Sequence, residues 1–304
     1  MSVPAAIFIF AIASTLIGCG RTRSPAIATP TSGQGAEDFG VVTNVSRFGS
    51  MPCWAPDSRR ITFSNTNSPG IWIYDRDTGT TRQIHAPGNF PAWSPAGDRI
   101  AFYKEDQLWT IKPDGTDAFN TGLRAGAHIQ WSPDGHWILT AGSRFCPHDG
   151  LLLVDVASWT QTELAFARAG ERQQVGDFTW TPDGNILLTL PCECVSGWPP
   201  NEIREFSLDG QLIRQTLLYG FDRRPFGVRV SPDNKFLLFD RGSRGLWIAN
   251  RDGSHATRLS AIGAASEWAR NQRSLVFDDS SSTPNVRNGI FILDLSLPLK
   301  LTPE

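Results

Sequence analysis

The sequence predicts an all-β chain folded as a six-bladed β-propeller of four-stranded antiparallel blades. Three observations carry this: a recurring phrase, its spacing, and the strand pattern between its copies. The phrase is WSPDGHWILT at Trp131, and variants begin at Trp54 (WAPDSRRITF), Trp93 (WSPAGDRIAF), Trp180 (WTPDGNILLT), Val230 (VSPDNKFLLF) and Trp268 (WARNQRSLVF). Successive anchors stand 39, 38, 49, 50 and 38 residues apart. A unit of about 40 residues holding four short strands cannot bury both faces alone, so copies must stack around an axis. Six anchors therefore predict six blades.

Each element of the unit follows from local chemistry. An innermost strand runs into the anchor. The Ser-Pro-Asp-Gly core then makes a turn, because Pro presets φ, Asp bonds its own backbone and Gly takes a conformation other residues resist. A second strand follows, such as Ile61-Thr62-Phe63 or Leu237-Leu238-Phe239, where branched and aromatic side chains suit a pleated surface. The third strand reads GIWIYD, QLWTIK, GLLLVD, EIREFS, GLWIAN or GIFILD. In four units it meets a tight-turn signal, at Asp77-Thr78-Gly79, Asp114-Gly115, Asp209-Gly210 or Asp252-Gly253. A short strand such as TRQI or ATRLS ends the unit. The recurring Trp fills the wedge between neighbouring blades, which widens away from the axis. Thr43 to Ser46 stands as far before Trp54 as Thr257 to Ser260 stands before Trp268, so the N-terminal stretch Val41 to Val45 is expected to close the last blade. Leu299 to Thr302 is the competing candidate from the C-terminal side.

The W-S-P-D-G phrase, followed by I-A-F and an I-W-I-x-D strand, resembles the TolB-type β-propeller repeat over residues 40 to 304. Ala96 replaces the Asp in the second unit, and the sixth, WARNQ, lacks the Pro-Asp-Gly. TolB carries an α/β domain before its propeller, and no segment here is long enough for one.

Ahead of the repeats, residues 1–18 read as a signal peptide: an apolar run from Ala5 to Ile17, too short for a comfortable membrane span, ends in small residues. Leu16-Ile17-Gly18-Cys19 resembles the bacterial lipobox, which implies a lipidated Cys19. No Lys or Arg precedes the apolar run, and cleavage without lipidation or a retained anchor are the alternatives. Residues 19–38, rich in Pro, Ser, Thr, Gly and Ala, then form a flexible tether to a propeller spanning 39–304. The expected location is the bacterial cell envelope, with the propeller on the extracytoplasmic side. A net charge of -2 over 304 residues leaves no electrostatic footprint for nucleic acid, which is excluded as a partner.

Chemistry is sought in three places. The repeat turns occupy one, plain face, whereas the two long spacings come from insertions on the other: Ser143–Gly150, Ala167–Gly176, Pro191–Asn201 and Tyr219–Arg229. There Arg168, Arg172, Arg223 and Arg224 mix with Trp198, Phe221 and Phe226, as at interaction hot spots, against the alternative of solvated arginines on tolerated insertions. Cys146 lies in one insertion and Cys192 and Cys194 in the next, so a disulfide from Cys146 to either is expected in an oxidising compartment. A metal site combining these thiols with His148 is an incomplete zinc pattern, and no metal or other cofactor is expected. Cys53 reads as a small buried hydrophobe. Three residues before the anchors, at the channel mouth, stand Met51, Phe90, His128, Asp177, Gly227 and Ala265, with Arg229 and Glu267 nearby. His128, Asp177, Arg229 and Glu267 are the candidate channel-mouth site, set against a solvated His and a turn-forming Asp.

No G-x-S-x-G elbow, His-Glu-x-x-His helix or phosphate-binding P-loop occurs, and the repeats run to the chain's end without a hydrolase domain. The expectation is a non-catalytic module binding an envelope protein, peptide or glycan. The alternative is a propeller enzyme of the lactonase, sugar dehydrogenase or cyclase kind, in which acidic and imidazole groups would converge on one small cavity at metal-compatible distances.

Overall fold

The computed structural model describes residues 39–65, 67–126, 128–142, 150–164, 177–189, 202–218, 225–240, 245–279 and 289–296. The segment holding Cys19 and the tether lies outside them, as do Leu299 to Thr302. Six four-stranded antiparallel sheets surround a common axis. From the axis outward, blade one is β2 (Ser50–Trp54), β3 (Arg60–Asn65), β4 (Gly70–Asp75) and β5 (Thr80–His85). Blade two is β6 (Asn89–Trp93), β7 (Ile100–Lys104), β8 (Gln107–Ile111) and β9 (Phe119–Arg124). Blade three is β10 (Ile129–Trp131), β11 (Trp137–Ala141), β12 (Leu151–Asp155) and β13 (Thr160–Leu164). Blade four is β14 (Phe178–Trp180), β15 (Ile186–Thr189), β16 (Glu202–Phe206) and β17 (Leu212–Leu217). Blade five is β18 (Phe226–Val230), β19 (Phe236–Asp240), β20 (Leu246–Asn250) and β21 (Thr257–Ser260). Blade six is β22 (Ala264–Trp268), β23 (Ser274–Asp278) and β24 (Ile290–Leu295), completed on its outer edge by β1 (Gly40–Ser46).

The N-terminal strand therefore closes the ring, with Gly40 opposite Leu295 and Thr43 opposite Ile292. Arg76 of blade one reinforces the seam by donating to Asp294 Oδ2 at 2.8 Å on blade six.

The repeat turn explains the repeated phrase. In blade three the Ser132 hydroxyl accepts from the Trp137 amide at 2.9 Å, the Gly135 amide donates to the Ser132 carbonyl at 3.0 Å, and Gly135 sits at φ 77°. Where Gly is missing, Ser58, Asn234 and Gln272 take the same left-handed conformation at φ 58°, 62° and 60°. The sixth unit thus keeps the turn after losing its Pro-Asp-Gly, since the Gln272 amide still reaches the Ala269 carbonyl at 2.9 Å. Closing the hairpin outweighs the modest steric cost of a non-Gly residue there.

The core is divided among the wedges between blades. Trp93 packs with Ile71 and Ile73 of blade one and with Ile100 and Phe102 of its own blade. Trp180 packs with Leu139 and Leu151 of blade three, and Trp54 reaches Ile290 and Ile292 across the closing seam. The indole N–H of Trp131 donates to the Ala92 carbonyl at 3.1 Å and that of Trp180 to the Gln130 carbonyl at 3.3 Å, each on the preceding blade. Each large ring thus buries its area against two sheets at once.

Candidate functional site

An innermost strand has no neighbour on its axial side, so its edge amides need other partners. The residue just before each anchor meets part of this need. The Trp93 amide donates to Cys53 Sγ at 3.4 Å, the Trp180 amide to Gln130 Oε1 at 3.3 Å, and the Trp54 amide to Glu267 Oε2 at 2.6 Å. With Ala92, Thr179 and Arg229 at the equivalent positions, these side chains form a belt around the axis.

Two residues earlier the strands are distorted. Register shifts mark bulges between Ser50 and Cys53, Asn89 and Ala92, Phe226 and Arg229, and Ala264 and Glu267. Met51, Phe90 and Gly227 lie in the left-handed region there at φ 53°, 54° and 55°, and His128 lies at 62° just ahead of β10. Outside Gly this conformation costs on the order of 1 kcal/mol or more. Buried acceptors on second strands hold it: the Met51 amide donates to Asp278 Oδ2 at 2.8 Å and the Phe90 amide to Ser64 Oγ at 3.0 Å.

The channel carries a cavity at each end. At the bulged end, about 60 Å³ is enclosed by Met51, Phe90, His128, Arg229, Ser266 and Glu267 among others. At the repeat-turn end, a cavity of about 510 Å³ is lined by all six anchors and rimmed by Pro56, Pro95, Pro133, Pro182 and Pro232, with Arg270 in the sixth place. Cys53, Ile129, Gln130, Arg229 and Glu267 border both. Among the described residues, the face that reads as plain in sequence therefore holds the larger of these two cavities.

The channel's ionisable groups fall in two sets. Asp177 Oδ2 accepts from the Val228 amide at 3.0 Å and faces Arg229 Nη1 at 3.4 Å, while its Oδ1 is buried without a hydrogen bond among the described residues. His128 Nδ1 stands 4.0 Å from that Oδ1, too far for a hydrogen bond. Burial outweighs the pull of Asp177 and lowers the His128 pKa, favouring neutral imidazole. Phe90 stacks against His128, and Phe178 meets it edge-on, each at 6.2 Å between ring centroids. In the second set, the Cys53 thiol points to Glu267 Oε1 at 3.7 Å. Burial raises the Glu267 pKa, and burial together with the Glu267 charge pushes the Cys53 thiol well above its ordinary range. Cys53 is thus a half-buried link in the belt, where the sequence suggests only a small hydrophobe.

Of the residues singled out from sequence, His128, Arg229 and Glu267 line the narrow cavity, and Asp177 supports it from behind through Arg229. Phe226, 41% exposed, opens β18 on the same face. Arg168, Arg172, Trp198, Phe221, Arg223, Arg224, Cys146, His148, Cys192 and Cys194 lie outside the described residues. Gln130 and Ser266 were not singled out. Alternation along the innermost strand from the anchor would have flagged Gln130. Among the described residues, no three His, Cys, Asp or Glu side chains stand together as a metal-ion site.

No known family profile matches the chain. No curated protein matches it either. Solved structures do. TolB from Acinetobacter baumannii superposes at a TM-score of 0.50 with 20% identity, over 70% of this chain and 53% of that one. The fold is a TolB-like six-bladed propeller. This TolB-like propeller spans about half the length of that TolB. A gluconolactonase from Xanthomonas campestris matches at a TM-score of 0.59 and 15% identity, covering 84% of this chain and 89% of that one. An oligogalacturonate lyase in complex with manganese matches at 0.55 and 12%, covering 84% and 93%. At these identities the likeness describes the frame, which hosts unrelated activities.

Proposed function

We propose that this chain is a non-catalytic binding module, an envelope lipoprotein held through Cys19, whose propeller presents its insertion face to a protein, peptide or glycan. The observation that carries the reading is how the channel's acids are used. Glu267 is tied to the Trp54 amide and the Cys53 thiol, and Asp177 to the Val228 amide and Arg229. A general base needs open reach to a substrate proton, whereas these carboxylates brace neighbouring strands. The connections from β11 to β12, β13 to β14, β15 to β16 and β17 to β18, all long, join strand ends on the narrow-cavity side. They carry Arg168, Arg172, Trp198, Phe221, Arg223 and Arg224, a mixture suited to protein or glycan contact.

A second reading, a channel enzyme of the lactonase, sugar dehydrogenase or cyclase kind, draws support from the meeting of His128, Arg229 and Glu267 at one cavity. The deciding experiment is a crosslinking pull-down from native envelopes with the full chain, beside a variant carrying Arg223→Ala, Arg224→Ala and Trp198→Ala. A partner captured by the former and lost by the latter is expected, and Cys19→Ser should release the protein from membranes. Absence of a specific partner, together with substrate turnover that Glu267→Gln abolishes, would replace the binding reading with the enzymatic one.

A further inference from the structure

The hydrogen-bonding capacity left over in the channel is lopsided. Gln130 is used on both sides, its Oε1 accepting from the Trp180 amide and its amide nitrogen donating to the Phe178 carbonyl at 3.2 Å. Each Glu267 oxygen already has a protein donor. On the donor side, Arg229 commits only Nη1, to the Val228 carbonyl at 2.8 Å and to Asp177. Its Nε–H and both Nη2 protons have no acceptor among the described residues, although only 15% of the side chain is exposed. Ser266, 1% exposed, lines the narrow cavity with a buried hydroxyl that has no hydrogen-bond partner among the described residues. A guanidinium has five donors and no acceptor, so what is missing at this waist is a group rich in lone pairs.

We propose that the waist of the channel is a carboxylate site, in which Arg229 and the Ser266 hydroxyl bind the end of a small organic acid or the C-terminus of a peptide. The planar fork of Arg matches the two oxygens of a carboxylate. The narrow cavity of about 60 Å³ is well above the roughly 10 to 15 Å³ that admits one water, so it can take a small polar group. Whatever is attached to that group extends into the 510 Å³ cavity, which shares Arg229 and Glu267 with the narrow one. Glu267 faces the same space, and burial makes it easier to protonate than an ordinary glutamate, so it can be neutralised as an anion arrives. The site is independent of the insertion-face reading, and either can fail alone.

The test is ligand-observed NMR on the purified full chain, titrating acetate at constant ionic strength, then Ala-Ala-Ala with a free or an amidated C-terminus. Saturable acetate binding is expected in the wild type. Ser266→Ala leaves the Arg229–Asp177 pair intact and should weaken binding about tenfold, the worth of one hydrogen bond to a charged group. Arg229→Gln should abolish it. Arg229→Lys, which keeps the charge beside Asp177, should bind more weakly than the wild type and guards against misreading an unfolded variant. Tripeptide binding that vanishes on amidation assigns the site to a peptide end; acetate binding without tripeptide binding assigns it to a small acid. Displacement by equimolar chloride, affinity unchanged in Ser266→Ala and Arg229→Lys, or no saturation by acetate or tripeptide overturns the proposal.

Discussion

Trp93 and Trp180 hold the same place in their blades and are buried alike, at 5% and 7% exposure, yet their indole N–H groups differ. That of Trp180 donates to the Gln130 carbonyl at 3.3 Å, whereas that of Trp93 is buried with no acceptor among the described residues. Changing each to Phe removes similar apolar area, so the burial losses largely cancel between the variants. Trp180→Phe also loses a hydrogen bond, at about 0.5 to 1.5 kcal/mol, while Trp93→Phe relieves an unsatisfied donor that costs about 1 to 3 kcal/mol. Arg60 lies over the Trp93 ring at 4.8 Å, and a Phe face keeps most of that cation–π contact. Because 3.3 Å is long for a hydrogen bond, the low end applies, and Trp93→Phe should be the more stable variant by about 2 kcal/mol. Equilibrium urea unfolding followed by far-ultraviolet circular dichroism measures the difference without relying on tryptophan emission. Equal midpoints, or a milder effect at Trp180, would refute the view that these donors sit in different environments.

Two further outcomes are expected. The raised pKa of Glu267 means that the folded state holds its proton more tightly than the unfolded chain does. Its contribution is therefore fully present below the ordinary glutamate pKa and is lost as pH rises through the raised value. Glu267→Gln keeps an oxygen for the Trp54 amide and removes this loss, so wild-type stability should decline relative to the variant across that window; parallel stability–pH curves would count against the assignment. Deleting residues 40–46 strips β24 of its ladder from Leu295 to Ile290, costing several kcal/mol at about 1 kcal/mol per hydrogen bond. Lowered urea midpoints and self-association on gel filtration are expected, and an unchanged midpoint would mean that the ring does not depend on this strand.

Much of the frame was legible in the sequence, because each blade repeats its turn chemistry and strand pattern. Trp54, Trp93, Trp131, Trp180 and Trp268 announced the wedges directly, and the match between Thr43–Ser46 and Thr257–Ser260 anticipated the closing strand. The bulges were not legible, since residues as different as Met51, Phe90 and His128 take the left-handed conformation and are held by partners such as Ser64 and Asp278 from distant parts of the chain. The wide cavity was missed for a related reason. Its rim of prolines looks like ordinary turn residues, and only the arrangement of six strands around the axis turns them into a vestibule. His128, Asp177, Arg229 and Glu267 could be placed near the axis, but which oxygens were already occupied is a property of side-chain geometry.

The seam between β1 and β24 also imposes an order on biogenesis. Gly40 must find Leu295, so the strand that leaves the ribosome early is the one that pairs last. Such distant pairing is slow, and until it is made the backbone groups of β1 and of the facing edge of β24 wait unpaired, a sticky ribbon beside five blades that can already assemble. Folding of this ring should then be limited by latching rather than by blade formation, and the interval before latching is when the chain is most exposed to proteases and in greatest need of a chaperone.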